Sequence, residues 1–346
     1  MACCCELQNT LDVEVTQESL LAVDIGGSAG VLLQAKSVDI TENGTSVVAP
    51  DDGFDGLKSV EINTNVPKRF ECGDAVFDTN AYDGYYLYKK ITKVDVSCLV
   101  TAHTTSLSHI FNGLLSLTEI VGLENWDTSN VTNMNSMFLS CQSLSSVICK
   151  FNTSRVTNMS RMFAICNSLI NIDVESFDTS NVTNIVEMFN GCEKLKKINV
   201  SRWDVSKVKN TSYTFNLCKS IQSLDFVNWN MHSVTDMTNM LGDCISLHTL
   251  IGEKTLQDVE NGIVALRGTK VNIQTNNSPL RFSSILALAN GLADLTGQTA
   301  QTLTISAQSY NNMYNDDDTI PTADVIAERQ ARIAAICAAK NWNFAH

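Results

Sequence analysis

Five times along this chain the same stretch of about twenty residues is written out, starting at Trp126, Phe151, Phe177, Trp203 and Trp229. Each copy opens on an aromatic followed by Asp or Asn. It usually continues Thr-Ser-Asn-Val-Thr-Asn-Met and reaches a cysteine fifteen positions on: Cys141, Cys166, Cys192, Cys218 and Cys244. The starts lie 25, 26, 26 and 26 residues apart. A fixed period in this range marks a stacked repeat, because one unit cannot bury its own apolar face and needs a neighbour to cover it.

In the first copy the apolar positions are Val131, Met134, Met137, Phe138, Cys141 and Leu144. Steps of three, three, one, three and three predict one face of a short helix. Asp127 and Ser129 lie just before it, where they can accept hydrogen bonds from first-turn amides. A step of two follows in later copies, at Leu169, Ile172 and Val174, then Leu195, Ile198 and Val200, then Leu224 and Phe226. That step predicts a strand with one buried face. Each unit is therefore expected to be a short strand, a turn and a short helix. The aromatics and the five cysteines should form core ladders, worth roughly 1.5–3 kcal/mol for each large apolar side chain fully buried. Trp126, Trp203 and Trp229 also suit a row for stacking sugars, but their exchange with Phe favours packing.

The array extends beyond the clear copies. Ile110, Phe111, Leu114 and Leu117 match the second half of a unit, and Leu247 and Leu250 begin another strand. The division expected is an N-terminal arm at 1–36, a small β module at 37–68, the solenoid at 69–282 with clear repeats at 108–252, and a capping segment at 283–346. In the arm, Leu11, Val13 and Val15 alternate before a Gly-rich connection. In the β module Val38 and Ile40 lead through Asn43-Gly44, a hairpin signal, to Val47-Val48, and Val60, Ile62 and Val66 form a further strand. In the last segment a helix is expected around Ile285–Leu295, a strand at Leu303–Ile305, a helix over Ala323–Lys340 and a strand at Asn341–Phe344.

The wording Trp126-Asp127-Thr128-Ser129-Asn130-Val131-Thr132-Asn133-Met134, then Met137-Phe138, Cys141 and Leu144, resembles the BspA-type leucine-rich repeat. That resemblance implies a right-handed leucine-rich solenoid of the α/β repeat class, found on bacterial surface proteins and in some phage proteins, with adhesion or recognition as its role. The fourth copy departs from the pattern at Lys207, Lys209, Thr211 and Tyr213. Two flanking stretches, Ser37–Val60 and Asn290–Ala300, resemble modules of phage structural proteins of gut bacteria. They imply a tail- or head-fibre-like component.

Charge and cysteine use narrow the function. A net charge of −13 argues against a general nucleic-acid binder, which must neutralise phosphates. Residues 1–66 carry eleven acidic and two basic side chains, whereas 144–221 carry ten basic and six acidic ones. Lys150, Arg155, Lys196, Lys197, Arg202, Lys207 and Lys209 are thus a candidate basic strip for an acidic ligand, or else solvated rungs at variable positions. No run of eighteen apolar residues is present, so no membrane span is expected. The opening Met1-Ala2-Cys3-Cys4-Cys5-Glu6 does not read as a secretory signal. The twelve cysteines lack paired zinc spacing, and a ladder of five cannot pair fully, which suits reducing conditions.

Catalytic signals are weak. Asp24-Ile25-Gly26-Gly27-Ser28 imitates a phosphate loop with no second loop to match. Asp51–Gly56 imitates a calcium loop but has Gly53 at the third position and Ile62 at the twelfth. Asp316-Asp317-Asp318 reads as a solvated loop. No cofactor and no metal are expected, and no enzyme. The function expected is a non-enzymatic phage virion protein, made in the host cytoplasm. Its N-terminal region would meet other virion proteins, and its repeats would meet a host cell-surface glycan or protein. A homotrimer is compatible with such a role, though no residue sets the number. A bacterial cell-surface adhesin is the alternative, and a cytoplasmic scaffold the third reading.

Overall fold

The computed structural model describes residues 92–96 and 104–346, together with the backbone of seven short strands between residues 10 and 77. The chain forms two compact units. One comprises 1–156 with 162–169, the other 157–161 with 170–346.

The first unit opens with β1 (Thr10–Val13), β2 (Leu20–Val23), β3 (Val31–Gln34), β4 (Val38–Thr41), β5 (Gly44–Val47), β6 (Lys68–Glu71) and β7 (Asp74–Phe77). β4 and β5 form the expected hairpin, with Thr41 opposite Gly44. β1 adds to it antiparallel, Leu11 opposite Ile40, so a strand of the expected arm belongs to the sheet of the expected module. The strand expected at Val60–Val66 and the Asp24–Ser28 and Asp51–Gly56 stretches lie outside the described residues. Parallel pairing starts further on. β8 (Lys93–Asp95) pairs with β9 (Glu119–Val121), Lys93 opposite Glu119, and a 3-10 turn at Leu123–Asn125 delivers the first copy.

The copies bury the apolar positions read from the sequence, but their backbone differs from the expected strand and helix. Val131, Met134, Met137, Phe138, Cys141 and Leu144 are all at most 1 % exposed, yet this segment is a run of turns broken by a bridge at Asn133. Two residues four apart in each copy explain why. Ser136 and Ser140 have φ of 55° and 64°; Glu187 and Gly191, 56° and 76°; Tyr213 and Leu217, 57° and 60°. A left-handed residue ends a right-handed helix after one turn.

The amides freed in this way reach the next copy. In the first unit His109, Phe111 and Gly113 donate to the carbonyls of Asn135, Met137 and Leu139 at 2.8–3.0 Å, and Phe138 and Ser140 donate to Met162 and Ala164 at 2.8 Å. In the second, Glu187, Phe189 and Gly191 donate to Ser212, Thr214 and Asn216 at 2.8–2.9 Å, and Tyr213, Phe215 and Leu217 to Thr238, Met240 and Gly242 at 2.8–3.0 Å. A per-copy helix would satisfy these groups internally, whereas here buried backbone is paired between neighbours. The expected strands shrink likewise to single parallel bridges. Asn171 bridges Lys197 and Ser223 bridges Thr249, while Asn158, Asn184, Asn210 and Asp236 bridge in succession through the second unit.

The repeated polar letters have structural tasks. The Asp or Asn after each aromatic accepts from the amide two residues on: Asp127 from Ser129 at 2.9 Å, Asp178 from Ser180 at 2.9 Å, and Asp204 from Ser206 at 2.9 Å. Such a bond stabilises a turn and was expected to cap a helix instead. Thr128 is buried. It donates to the Asn152 carbonyl at 3.1 Å and accepts from the Asn152 amide at 2.7 Å. Thr132 donates backwards to the Thr105 carbonyl at 3.2 Å.

One copy carries a poorly matched residue. Ile165 has φ 60° and is exposed, a conformation that costs a β-branched side chain about 1–2 kcal/mol. The next copy has Gly191 there. Ile165→Asn, which tolerates this region, is expected to stabilise by about 0.5–1 kcal/mol. Urea unfolding that moves to lower midpoint would contradict this.

The second unit ends in an α/β segment. It contains α1 (Leu256–Glu260), β10 (Ile273–Thr275), α2 (Phe282–Gly291), β11 (Gln301–Ile305), α3 (Ala307–Asn312), α4 (Ala323–Ala339) and β12 (Trp342–Ala345). α2, β11, α4 and β12 coincide with expected elements; α1, β10 and α3 carry too few apolar residues to show a period. The strands form one parallel sheet in the order β10–β11–β12, although β10 falls in the range expected for the solenoid. α2 is buried along nearly its whole length. Its last carbonyls are closed by Lys340, whose ammonium donates to Asn290 at 2.6 Å and Leu292 at 2.9 Å.

Candidate functional site

The tryptophans and cysteines of the copies lie in their interior. Trp126 is 5 % exposed, Trp203 1 % and Trp229 0 %. Their indoles donate to the carbonyls of Val96, Val174 and Val200 at 3.0–3.2 Å. Phe151 and Phe177 are buried at the same position. No indole face is open to a sugar.

The five cysteines are buried free thiols. Cys141 and Cys166 donate to the carbonyls of Phe111 and Phe138 at 3.1 and 3.2 Å. Cys218 and Cys244 donate to Phe189 and Phe215 at 3.3 and 3.0 Å. Burial pushes the thiols of Cys166 and Cys244 up to about 12 and those of Cys141 and Cys218 well above the ordinary range. A thiol so poorly ionised is a packing group and not a nucleophile. Among the described residues no cluster of His, Cys, Asp or Glu could hold a metal. Asp316, Asp317 and Asp318 are structural. Asp316 accepts from the Leu256 amide at 2.8 Å, Asp317 from Thr319, and Asp318 takes Arg281 through two bonds of 2.8 Å.

A concave site does exist, in the second unit, where no motif or spacing pointed. The three parallel strands all run towards it. Asn276 and Asn277 follow β10, Ser306 and Ala307 follow β11, and His346 follows β12, and all line a cleft of about 430 Å³. Ligands of open parallel sheets sit outside the carboxyl ends of the strands. The opposite wall comes from the fourth and fifth copies through Asn216, Asn239 and Asp243. The Asp243 amide donates to the Asn276 carbonyl at 3.0 Å, and the Asn277 side chain donates to the Asp243 carboxylate. Asn216 donates to the Asn190 side chain at 2.9 Å.

Beneath them lies Gly242, at which an added Cβ would fall 2.5 Å from Asn216 Oδ1. A side chain at that position would displace the Asn216 amide. His346 is held by stacking on Tyr310, with centroids 3.6 Å apart.

A family model described as "Mycoplasma protein of unknown function, DUF285" matches residues 82–197 and again residues 165–277. Together the two matches span 82–277, more than half of the chain. The chain belongs to this family. No curated protein and no solved structure matches it. The matched DUF285 region contains every copy together with Asn276 and Asn277. It stops short of Thr304, Ser306 and His346, so the cleft joins the family's repeats to residues outside the matched region.

The basic residues of this DUF285 member do not share one repeat position. Lys150 and Arg202 immediately precede an aromatic, Arg155 and Lys207 follow one by four and Lys209 by six, and Lys196 and Lys197 precede Trp203 by seven and six. Lys150 and Arg155 belong to the first unit and the other five to the second. Several have partners. Arg155 donates to Asn130 at 2.7 Å, Lys207 to Asn181 at 2.8 Å, and Arg202 faces Glu175 at 3.3 Å. Such exposed contacts contribute roughly 0–1 kcal/mol each. Lys196, Lys197 and Lys209 are exposed without a carboxylate partner among the described residues. Among the described residues no helix is long and apolar enough to cross a membrane.

Proposed function

We propose that this DUF285 protein is a non-enzymatic recognition protein. In this reading its copies form a leucine-rich-repeat solenoid of the BspA type, and the chain is carried on a phage virion as a fibre, tail or head decoration. The N-terminal region attaches to other virion proteins. The repeat surface meets a host glycan or protein.

One observation carries the reading. Inward positions of the second unit keep Cys192, Cys218 and Cys244, with Phe189, Phe215 and Leu241 at a second buried position, while a single more exposed position runs Arg161, Glu187, Tyr213, Asn239. A similar interior under a changing exterior suits contact with something else, and the thiols and indoles of the copies serve as packing groups. The family match is compatible with a BspA-like surface protein and does not itself point to a virion, so a bacterial cell-surface adhesin is the second reading.

Mass spectrometry of purified phage particles from the producing bacterium is expected to detect the chain. Its absence from particles, with antibody labelling of intact uninduced cells, would move the assignment to the adhesin. Detection in neither place would leave the scaffold reading and overturn both.

A further inference from the structure

We infer that the cleft at the carboxyl ends of β10, β11 and β12 binds a neutral, hydroxyl-rich ligand, that is, an uncharged carbohydrate. This deepens the recognition reading and rests on it. At about 430 Å³ the cleft falls within the roughly 300–1,000 Å³ range of small-ligand sites.

Its chemistry selects the class. The lining holds four side-chain amides, from Asn216, Asn239, Asn276 and Asn277, and one carboxylate, Asp243. No Lys or Arg lines it, so phosphate, sulfate or a carboxylated sugar would meet Asp243 with no cation to offset the repulsion. Its acidic side chains number one, Asp243, and among the described residues no group of three or more His, Cys, Asp or Glu could hold a metal.

Amides offer a donor and an acceptor side by side, which suits the neighbouring hydroxyls of a sugar ring. The side chains of Asn239 and Asn276 make no hydrogen bond to the described protein and are free to do so. Asp243 is already oriented by Asn277, and Asn216 by Asn190 across Gly242. The imidazole of His346, fixed flat on Tyr310, supplies a plane at the rim.

The test uses the full chain on a panel of immobilised neutral oligosaccharides (gluco-, manno-, galacto-, xylo- and chito-series) with sialylated and sulfated counterparts. The tightest binder is then titrated by calorimetry. The double variant Asn239→Gly, Asn276→Ala removes the two uncommitted amides, and glycine preserves the φ of 49° at position 239. A neutral glycan is expected to bind, and the double variant to weaken it at least about tenfold, the scale of two lost hydrogen bonds, with an unchanged thermal midpoint. Lys196→Ala, Lys197→Ala is expected to bind as the parent does.

The inference falls if no neutral glycan binds. It also falls if the double variant binds as tightly as the parent, or if only the acidic glycans bind. In each of these cases detection of the chain on particles or cells would leave the recognition reading standing. Absence from both would remove that reading whatever the glycan result.

Discussion

Trp203→Ala is expected to destabilise the second unit by about 3–5 kcal/mol, the cost of emptying a fully buried tryptophan site. Trp203 is 1 % exposed and stacks on Trp229 with centroids 6.2 Å apart and planes 9° apart. It also approaches Phe189 at 6.3 Å. Its indole donates to the Val174 carbonyl, which also accepts from the Phe177 amide at 3.1 Å, so truncation removes one of that acceptor's two bonds. The cavity opens between copies that stabilise one another, so the loss spreads to both neighbours. Trp203→Phe should cost much less, about 1–2 kcal/mol, because the chain itself places Phe151 and Phe177 at this position. Urea unfolding followed by circular dichroism separates the two variants. Equal midpoints for Trp203→Ala and the parent would mean that the ring is not in the core.

The second large effect is alkaline. Burial raises Cys166 and Cys244 from the ordinary value of 9.0 to about 12. Below pH 9 both the folded and the unfolded chain hold these protons, and the thiols add no pH dependence. Between pH 9 and 12 the unfolded chain gives its proton up and the folded chain does not. Stability therefore falls as pH rises through this window, by about 1.4 kcal/mol per pH unit for each thiol. Cys166 belongs to the first unit and Cys244 to the second, so both units are affected. Under reducing conditions the free energy of unfolding is expected to be about 2 kcal/mol lower at pH 10.5 than at pH 8 for each such thiol. Cys166→Ala should flatten the slope by that amount, isolating it from lysine and tyrosine ionisation. A slope unchanged in Cys166→Ala would show that this thiol is not buried in solution.

These two predictions draw on the part of the molecule most legible from the amino acids. The apolar letters at Met134, Phe138 and Cys141 mark the buried face correctly because periodicity reports which residues leave water. The backbone that delivers them was misread. Steps of three and four fit a helix, but they fit equally a series of tight turns in which Ser136 and Ser140 are left-handed. Serine, arginine, glutamate and tyrosine occupy the first of those positions in the first four copies, where none announces a positive φ, and glycine marks the second in one copy alone, as Gly191. The choice is made by the neighbouring copy, whose carbonyls accept the amides that a helix would have used.

The cleft was invisible for a related reason. Asn239 and Asp243 are ordinary variable letters within a copy, and Asn276, Asn277 and His346 look like loop and terminal residues. They converge because β10, β11 and β12 run parallel and end together opposite the fifth copy. A three-residue β10 leaves no periodic trace, so no reading of spacing would place its end there.

What the amino-acid order determined unaided was the division into copies and the identity of the inward-facing residues, since both follow from local hydrophobicity repeated at a constant interval. What only the tertiary structure decided was where the backbone hydrogen bonds go and which polar side chains meet. Those outcomes depend on pairings between residues from 24 to 72 positions apart, and hydrogen-bond partners at such distances are set by packing and not by the letters beside them.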